Sequence, residues 1–355
     1  MARSISRLLI ETVVKKALRD AKDSPERAIR NLVDMAMYFS EGSSQRSFFS
    51  VVQELLCNEQ SVYYPLIQDV LNHADEERIL AFGMNVGYNS CTLGAKQIRS
   101  IEKEEGFNVP WSLSLEIDGR TYPDRERAYR SLVEQGAALG IYNYLIFPAA
   151  QPQSLLSLPG AYPDCAFTLF CSGEDLTEDF LDEAGAIANL LLVVRYGEDV
   201  EDVCSRLRSR GLLYSIYIPY GEQDVPAITS GEYFACAESL HSPLTVFVPI
   251  NGCPAQARRA VYDYVTAIRK APVYRTVPWE ALHDGRLVDS IISDEACSTF
   301  FDRDGILRPL FGETFSTPCD LFHDDLRTIL KAAFPKGAQQ GAASLEADRP
   351  ISLAK

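Results

Sequence analysis

The carboxylates are the side chains whose positions in this sequence most suggest chemistry. Glu116 and Asp118, and further along Glu174, stand at or just past the ends of short apolar runs. Two carboxylates can divide acid and base roles when their surroundings split their pKa values. Three together could hold a hard divalent cation. Other polar residues fall at the ends of further apolar runs: Gln151, Ser172, Arg195, Tyr217 and Asn251. With Glu116, Asp118 and Glu174 they form the set expected to bind a ligand. Each also has a plainer reading, because connecting loops are polar where they face water.

Nucleophiles and metal-ligating groups are sparser. His73, His241, His283 and His323 are far apart and form no HxxxH pair. The nine cysteines form no CxxC pair. An odd number of dispersed thiols fits a reducing compartment, so a cytoplasmic protein is expected. Cys165 and Cys171 bracket one apolar run and share a face, as buried structural thiols would. Cys91 has no His or Lys beside it to lower its pKa. No GxGxxG, Walker A, GxSxG or HExxH motif is present.

The apolar runs that carry these residues have a regular spacing. Six β-rich stretches occur at Trp111–Ile117, Ile141–Phe147, Ala166–Cys171, Asn189–Val194, Leu213–Pro219 and Leu244–Pro249. Helical patterns separate them at Asp124–Leu139, Ser154–Leu158, Glu178–Ala186, Val200–Arg210, Gly231–Leu240 and Ala255–Lys270. This alternation predicts βαβ units on a parallel sheet. Leu190–Val194 is apolar throughout, as in a strand covered on both faces. The fold class is therefore α/β, a partial (β/α)6 barrel of TIM type. A closed barrel needs two more strands, which the pattern does not supply. Ligands in such sheets sit at the C-terminal ends of the strands, where the polar set lies.

Residues 1–105 read as helices. Ile5 to Leu18 recurs at helical spacing, a second helix opens at Ser24-Pro25, and others carry Phe48–Leu56 and Leu66–Leu71. Gly83, Gly87 and Gly94 predict a looser stretch before a helix at Ala95–Glu105. The apolar content of residues 29–56, with Met35, Met37, Phe48 and Phe49, suits either a partner surface or a cover for the barrel's open edge. The expected division is a helical segment over 1–105, the barrel over 106–275, a C-terminal extension over 276–335 and a tail over 336–355. In the extension, Thr299–Arg308 reads as a hairpin with Asp304-Gly305 at its turn, and Asp320–Phe334 as a helix. The net charge of −15 disfavours nucleic acid and anionic membranes. No apolar run approaches the ~20 residues of a membrane helix, and Glu11 and Lys15-Lys16 break any signal-peptide pattern.

From Gly106-Phe107-Asn108-Val109-Pro110-Trp111 onward the sequence resembles the radical SAM proteins that carry a C-terminal, SPASM-like cluster-binding extension. The likeness continues at Gln135-Gly136, Leu139–Tyr144, Asp164–Phe167 and Ile228–Phe234, ends at Phe301–Pro309, and spans roughly residues 75–335. It implies a six-unit partial barrel. In the family, a CxxxCxxC loop after the first strand binds a [4Fe–4S] cluster and S-adenosylmethionine completes the site. Here that loop is Glu116-Ile117-Asp118-Gly119-Arg120-Thr121-Tyr122-Pro123, without cysteine. The family's GGEP is replaced by Ala149-Ala150-Gln151-Pro152. Arg195 falls where an acidic residue is expected, and Leu310 where an auxiliary-cluster cysteine would follow Pro309.

Four departures predict a degenerate barrel with no cofactor: a partner or regulator of an active radical SAM enzyme, or a small-molecule binder. The alternatives are an active enzyme that uses S-adenosylmethionine and a [4Fe–4S] cluster on other ligands, or a lyase or hydrolase using Glu116, Asp118 and Glu174.

Overall fold

The computed structural model describes residues 5–38, 53, 56, 58, 60–293, 295, 297–310, 315 and 319–336. Most of the expected Phe48–Leu56 helix and the polar tail from residue 339 lie outside them.

Each of the six expected strands forms: β1 (Ser112–Asp118), β2 (Asn143–Ala150), β3 (Ala166–Cys171), β4 (Leu190–Arg195), β5 (Tyr214–Tyr220) and β6 (Leu244–Pro249). Three more join them, β7 (Val277–Glu280), β8 (Thr299–Phe301) and β9 (Leu307–Pro309). The order is β7-β6-β5-β4-β3-β2-β1-β8-β9, in a curled half-barrel sheet. Every pairing is parallel except β8 with β9. The two strands that the spacing did not supply are therefore present, as β7 and β8. β7 was not expected because it has four residues including Pro278, whereas β8 was expected only as the first strand of a separate hairpin. The 299–309 hairpin is thus part of this sheet, its first strand paired to β1.

The N-terminal helices are α1 (Ile5–Asp23), α2 (Pro25–Tyr38), α3 (Tyr63–His73), α4 (Glu76–Met84) and α5 (Ala95–Glu105). The stretch expected to be loose, Asn85–Gly94, is a π-helix joining α4 to α5 without a break. Gly94 serves contact rather than flexibility, since a Cβ there would lie 2.2 Å from the Gly140 carbonyl oxygen. This run closes the N-terminal ends of the strands. Asn85 Nδ2 donates to the Pro163 and Cys165 carbonyls, Asn89 Nδ2 to that of Asp164, and an Arg78 guanidinium N–H to that of Ile187. α3 instead reaches the β7 edge, where Val277 packs against a cluster holding Tyr63 and Leu66.

On the convex face lie α6 (Tyr122–Leu139), α7 (Ser157–Ala161), α8 (Glu178–Ala184), α9 (Val200–Ser209), α10 (Val225–Ser230), α11 (Glu232–Ser239) and α12 (Ala255–Lys270). They bury the outward-facing half of each strand, such as Leu113, Leu115 and Ile117 of β1, all fully buried. Period-two alternation sends Ser114, Glu116 and Asp118 to the other side.

The open side is crossed by α13 (Ala281–Ile292), which runs from β7 at one edge to the segment before β8 at the other. Leu282 near its start packs into the concave cluster. Its end is tied to α5, because Arg99 donates to the Ile291 and Ile292 carbonyls. Asp289, almost wholly buried, accepts from the backbone N–H groups of Trp111 and Cys297. A helix thus spans the gap that a closed barrel fills with strand pairing. The last helix, α14 (Leu326–Ala333), follows an Asp325 cap that accepts from Thr328 N–H at 2.9 Å.

Candidate functional site

Registers within the sheet define what the half-barrel encloses. Glu116 lies opposite Phe147 of β2, Phe170 of β3 opposite Val193 of β4, and Val193 opposite Ser215 of β5. All face inward. Phe147 and Phe170 stack at 4.3 Å with 16° between their planes, and Tyr217 meets Phe170 edge-on at 5.4 Å. These rings, Val246, Val248, Leu282 and Leu310 form an apolar lining. Burial pushes the Tyr217 phenol up, so it remains a neutral hydroxyl.

The polar residues of the mouth gather where β1 meets β8. Glu116 is 5 % exposed. Burial raises its pKa, the Arg303 guanidinium opposes that shift, and Asp302 and Asp304 reinforce it. Arg303 arrives from the β8–β9 turn and stands 3.3 Å from the Glu116 carboxylate. Asp118 is held by Arg120 through contacts of 2.9 and 2.6 Å, which lower its pKa. Asp302 accepts from the Ile306 N–H and from Arg308 Nε, keeping the turn that presents Arg303 in shape.

The eight residues singled out from sequence divide into two groups. Glu116, Arg195 and Tyr217 share the concave face, with Arg195 opposite Tyr217 across β4 and β5. Asp118 sits above Glu116, bound to Arg120. Gln151 turns out of β2 in a left-handed conformation, exposed. Ser172 belongs to a local capping box with Asp175, and Glu174 is exposed on that same short turn. Asn251 is exposed on the turn after β6. Glu116, Asp118 and Glu174 are not assembled as a metal site: among the described residues no three of His, Cys, Asp and Glu are grouped to hold an ion. Arg303, Phe147, Phe170 and Ser215 were missed. Strand alternation could have found the last three; Arg303 needed the pairing of β8 with β1.

The site can be tested against the cluster and S-adenosylmethionine that the resemblance implies. The turn after β1, Gly119-Arg120-Thr121, carries no thiol. It is also clamped to the end of β2: Gly119 N–H donates to the Ala150 carbonyl at 2.9 Å. A Cβ at Gly119 would lie 2.1 Å from the Gln151 carbonyl oxygen, so only glycine fits there. The two loops that would hold cofactor are packed against each other. Among the described residues, Cys165, Cys171 and Cys204 lie in the convex core and Cys91 beneath the sheet, while Cys253, just past the end of β6, is buried in that same core. Burial pushes Cys91 up to about 11 and Cys165 and Cys204 up to about 12. Iron is bound by thiolates, so the residues present do not fit a [4Fe–4S] cluster at this mouth.

No protein-family model and no curated protein matches the chain. Among solved structures, Streptococcus suis SuiB is similar, with 12 % identity, 85 % of this chain and 81 % of that chain covered, and a TM-score of 0.50. SuiB bound to S-adenosylmethionine aligns at 11 % identity over 69 % of each chain, with a TM-score of 0.49. SuiB bound to precursor peptide SuiA aligns at 11 % identity over 69 % of this chain and 70 % of that one, with a TM-score of 0.48. At the 12 % identity of the first of these alignments, what is shared is the fold.

Proposed function

We propose that this chain is a radical-SAM-type barrel that works without a [4Fe–4S] cluster and binds a small molecule at its mouth. The fold shared with SuiB and the segments between residues 106 and 309 support the lineage. The single observation that carries the loss of the cluster is the thiol-free turn at Gly119–Thr121, clamped onto Ala150 and Gln151. Three thiolates could not be introduced there without rebuilding both loops. The concave face favours binding: it pairs an apolar lining with a buried carboxylate at the strand ends, the composition of a ligand pocket. The cytoplasmic location and the lack of nucleic-acid partners expected from the sequence belong to the same reading.

Anaerobic incubation with ferrous iron and sulfide tests it. The protein should stay colourless and leave S-adenosylmethionine uncleaved. Stoichiometric iron with formation of 5′-deoxyadenosine would overturn the proposal.

A carboxylate-dependent lyase or hydrolase has one observation in its favour, the raised pKa of Glu116. Against it, Asp118 is bound to Arg120 and Glu174 faces solvent on a separate turn.

A further inference from the structure

Far from the mouth, one polar cluster joins α3 to the N-terminal ends of β5 and β6. Asp69 and His73 stand one turn apart on α3, Arg208 comes from the end of α9, and His241 from the turn before β6. Arg208 grips the Asp69 carboxylate with both terminal nitrogens, at 2.8 and 2.6 Å. His241 Nδ1 stands 3.4 Å from the same carboxylate, on a left-handed backbone with a φ of 53°. His73 is the buried histidine of the two, with 5 % of its side chain exposed against 55 % for His241. Its ring lies 5.5 Å from that of Tyr214, whose hydroxyl donates to the Leu240 carbonyl. On the other side of α3, α1 and α2 bring apolar contacts, Leu18, Ala21, Ala28 and Ile29.

The Nδ1 atom of His73 faces two groups with opposite needs. It lies 2.9 Å from the Asp69 backbone carbonyl oxygen and 3.0 Å from Arg208 Nη1. A guanidinium can only donate and is always charged, so it favours a lone pair on that nitrogen. A proton there suits the carbonyl and sets donor against donor at Arg208. The same Nη1 donates to Asp69 Oδ2, so pushing it away also weakens the grip on the carboxylate. Burial holds the His73 pKa below its ordinary value; Arg208 and His241 act the same way, and Asp69 opposes them. The unfolded chain therefore takes the proton first, and docking of α3 is strongest above about pH 6.5 and weakens as pH falls below it.

We propose that this cluster is an acid-sensitive latch, in which a proton on His73 drives Arg208 away and loosens α3 from the barrel. The other end of α3 packs Tyr63 and Leu66 against Val277 of β7, the last strand of the sheet. Opening the latch would uncover that edge, which a helix otherwise shields. The device does not depend on a ligand at the mouth.

Hydrogen exchange of the full chain at pH 7.5 and 5.5, corrected for the intrinsic rate, tests this, with residues 63–73 compared with β3 and β4. Protection of α3 should fall at least fivefold at the lower pH, while that of β3 and β4 changes less than twofold. His73→Gln, neutral at both pH values, should abolish the fall, and His241→Gln should leave it in place. Should His73→Gln leave α3 loose already at pH 7.5, NMR titration of the unaltered chain decides: the midpoint of α3 loosening must match that of the His73 ring, and a mismatch overturns the proposal. Equal protection of α3 at both pH values, an equal loss in β3 and β4, a fall that survives His73→Gln, or one abolished by His241→Gln also overturns it.

Discussion

The two faces of the sheet use the same strands in opposite ways. The convex face is apolar, covered by seven helices, and its side chains are almost wholly buried. The concave face mixes aromatic rings with Glu116, Thr168, Ser215 and Arg195, and across its open side the helix is α13. Dense apolar packing stabilises without specifying a partner, whereas polar groups in a dry lining cost stability unless something meets them. The difference teaches that most of the apolar packing lies on the outside of this half-barrel, while the inside carries the polar groups on which the proposed binding rests.

Two phenylalanines on β3 put that division to the largest test. Phe167 is fully buried on the convex face, stacked on Tyr144 at 5.3 Å, while Phe170 lines the concave face. Phe167→Ala should cost about 3–5 kcal/mol in urea unfolding, and Phe170→Ala distinctly less. Equal costs would mean the lining is an ordinary core.

The latch on α13 comes next. Burial pushes Asp289 up to about 6, despite the two backbone N–H groups that favour its charge. The folded state therefore binds a proton more tightly than the unfolded chain. Its contribution is full below about pH 4 and is lost as pH rises through about 6, by roughly 3 kcal/mol. The stability difference between the unaltered protein and Asp289→Asn, measured at pH 4.5, 5.5, 6.5 and 7.5, should change across that window and level off above it. A flat difference would show that the latch does not titrate.

Two buried serines give the smallest contrast. Ser242 Oγ donates to the Leu244 carbonyl at 2.6 Å and accepts from Ile216 N–H at 3.0 Å, whereas Ser215 has no partner. Ser242→Ala should destabilise by about 1–3 kcal/mol, because it strands a buried N–H. Ser215→Ala should be neutral or stabilise by up to about 1 kcal/mol. A destabilising Ser215→Ala would place that hydroxyl among the structural groups and blur the contrast between the faces.

Much of this was legible in the residues. The ranges expected for β3 and β6 and for the helix Ala255–Lys270 coincide with the observed ones. Elements of this kind have local causes: apolar runs, caps and turn residues. The short strand β7 has none strong enough, since it exists only because β6 presents a free edge, and although the Asp304-Gly305 turn marks the β8–β9 hairpin, nothing local places β8 beside β1. The glycines at 83, 87 and 94 misled for a similar reason. Packing under the strand ends outweighs their weak helix propensity, and Gly94 is there to let two backbones touch.

The sequence alone determined the α/β class, the six central strands and the absence of thiols after the first of them, because hydrophobic period and residue identity need no fold to be read. Tertiary structure alone decided that Arg303 sits on Glu116, that Phe147, Phe170 and Ser215 share one row, and that a helix closes the open side. Those outcomes depend on strand register and on contacts between residues far apart in the chain, 187 positions for Glu116 with Arg303 and 193 for Arg99 with Ile292. No local pattern encodes such contacts; they follow from how the whole sheet buries its faces.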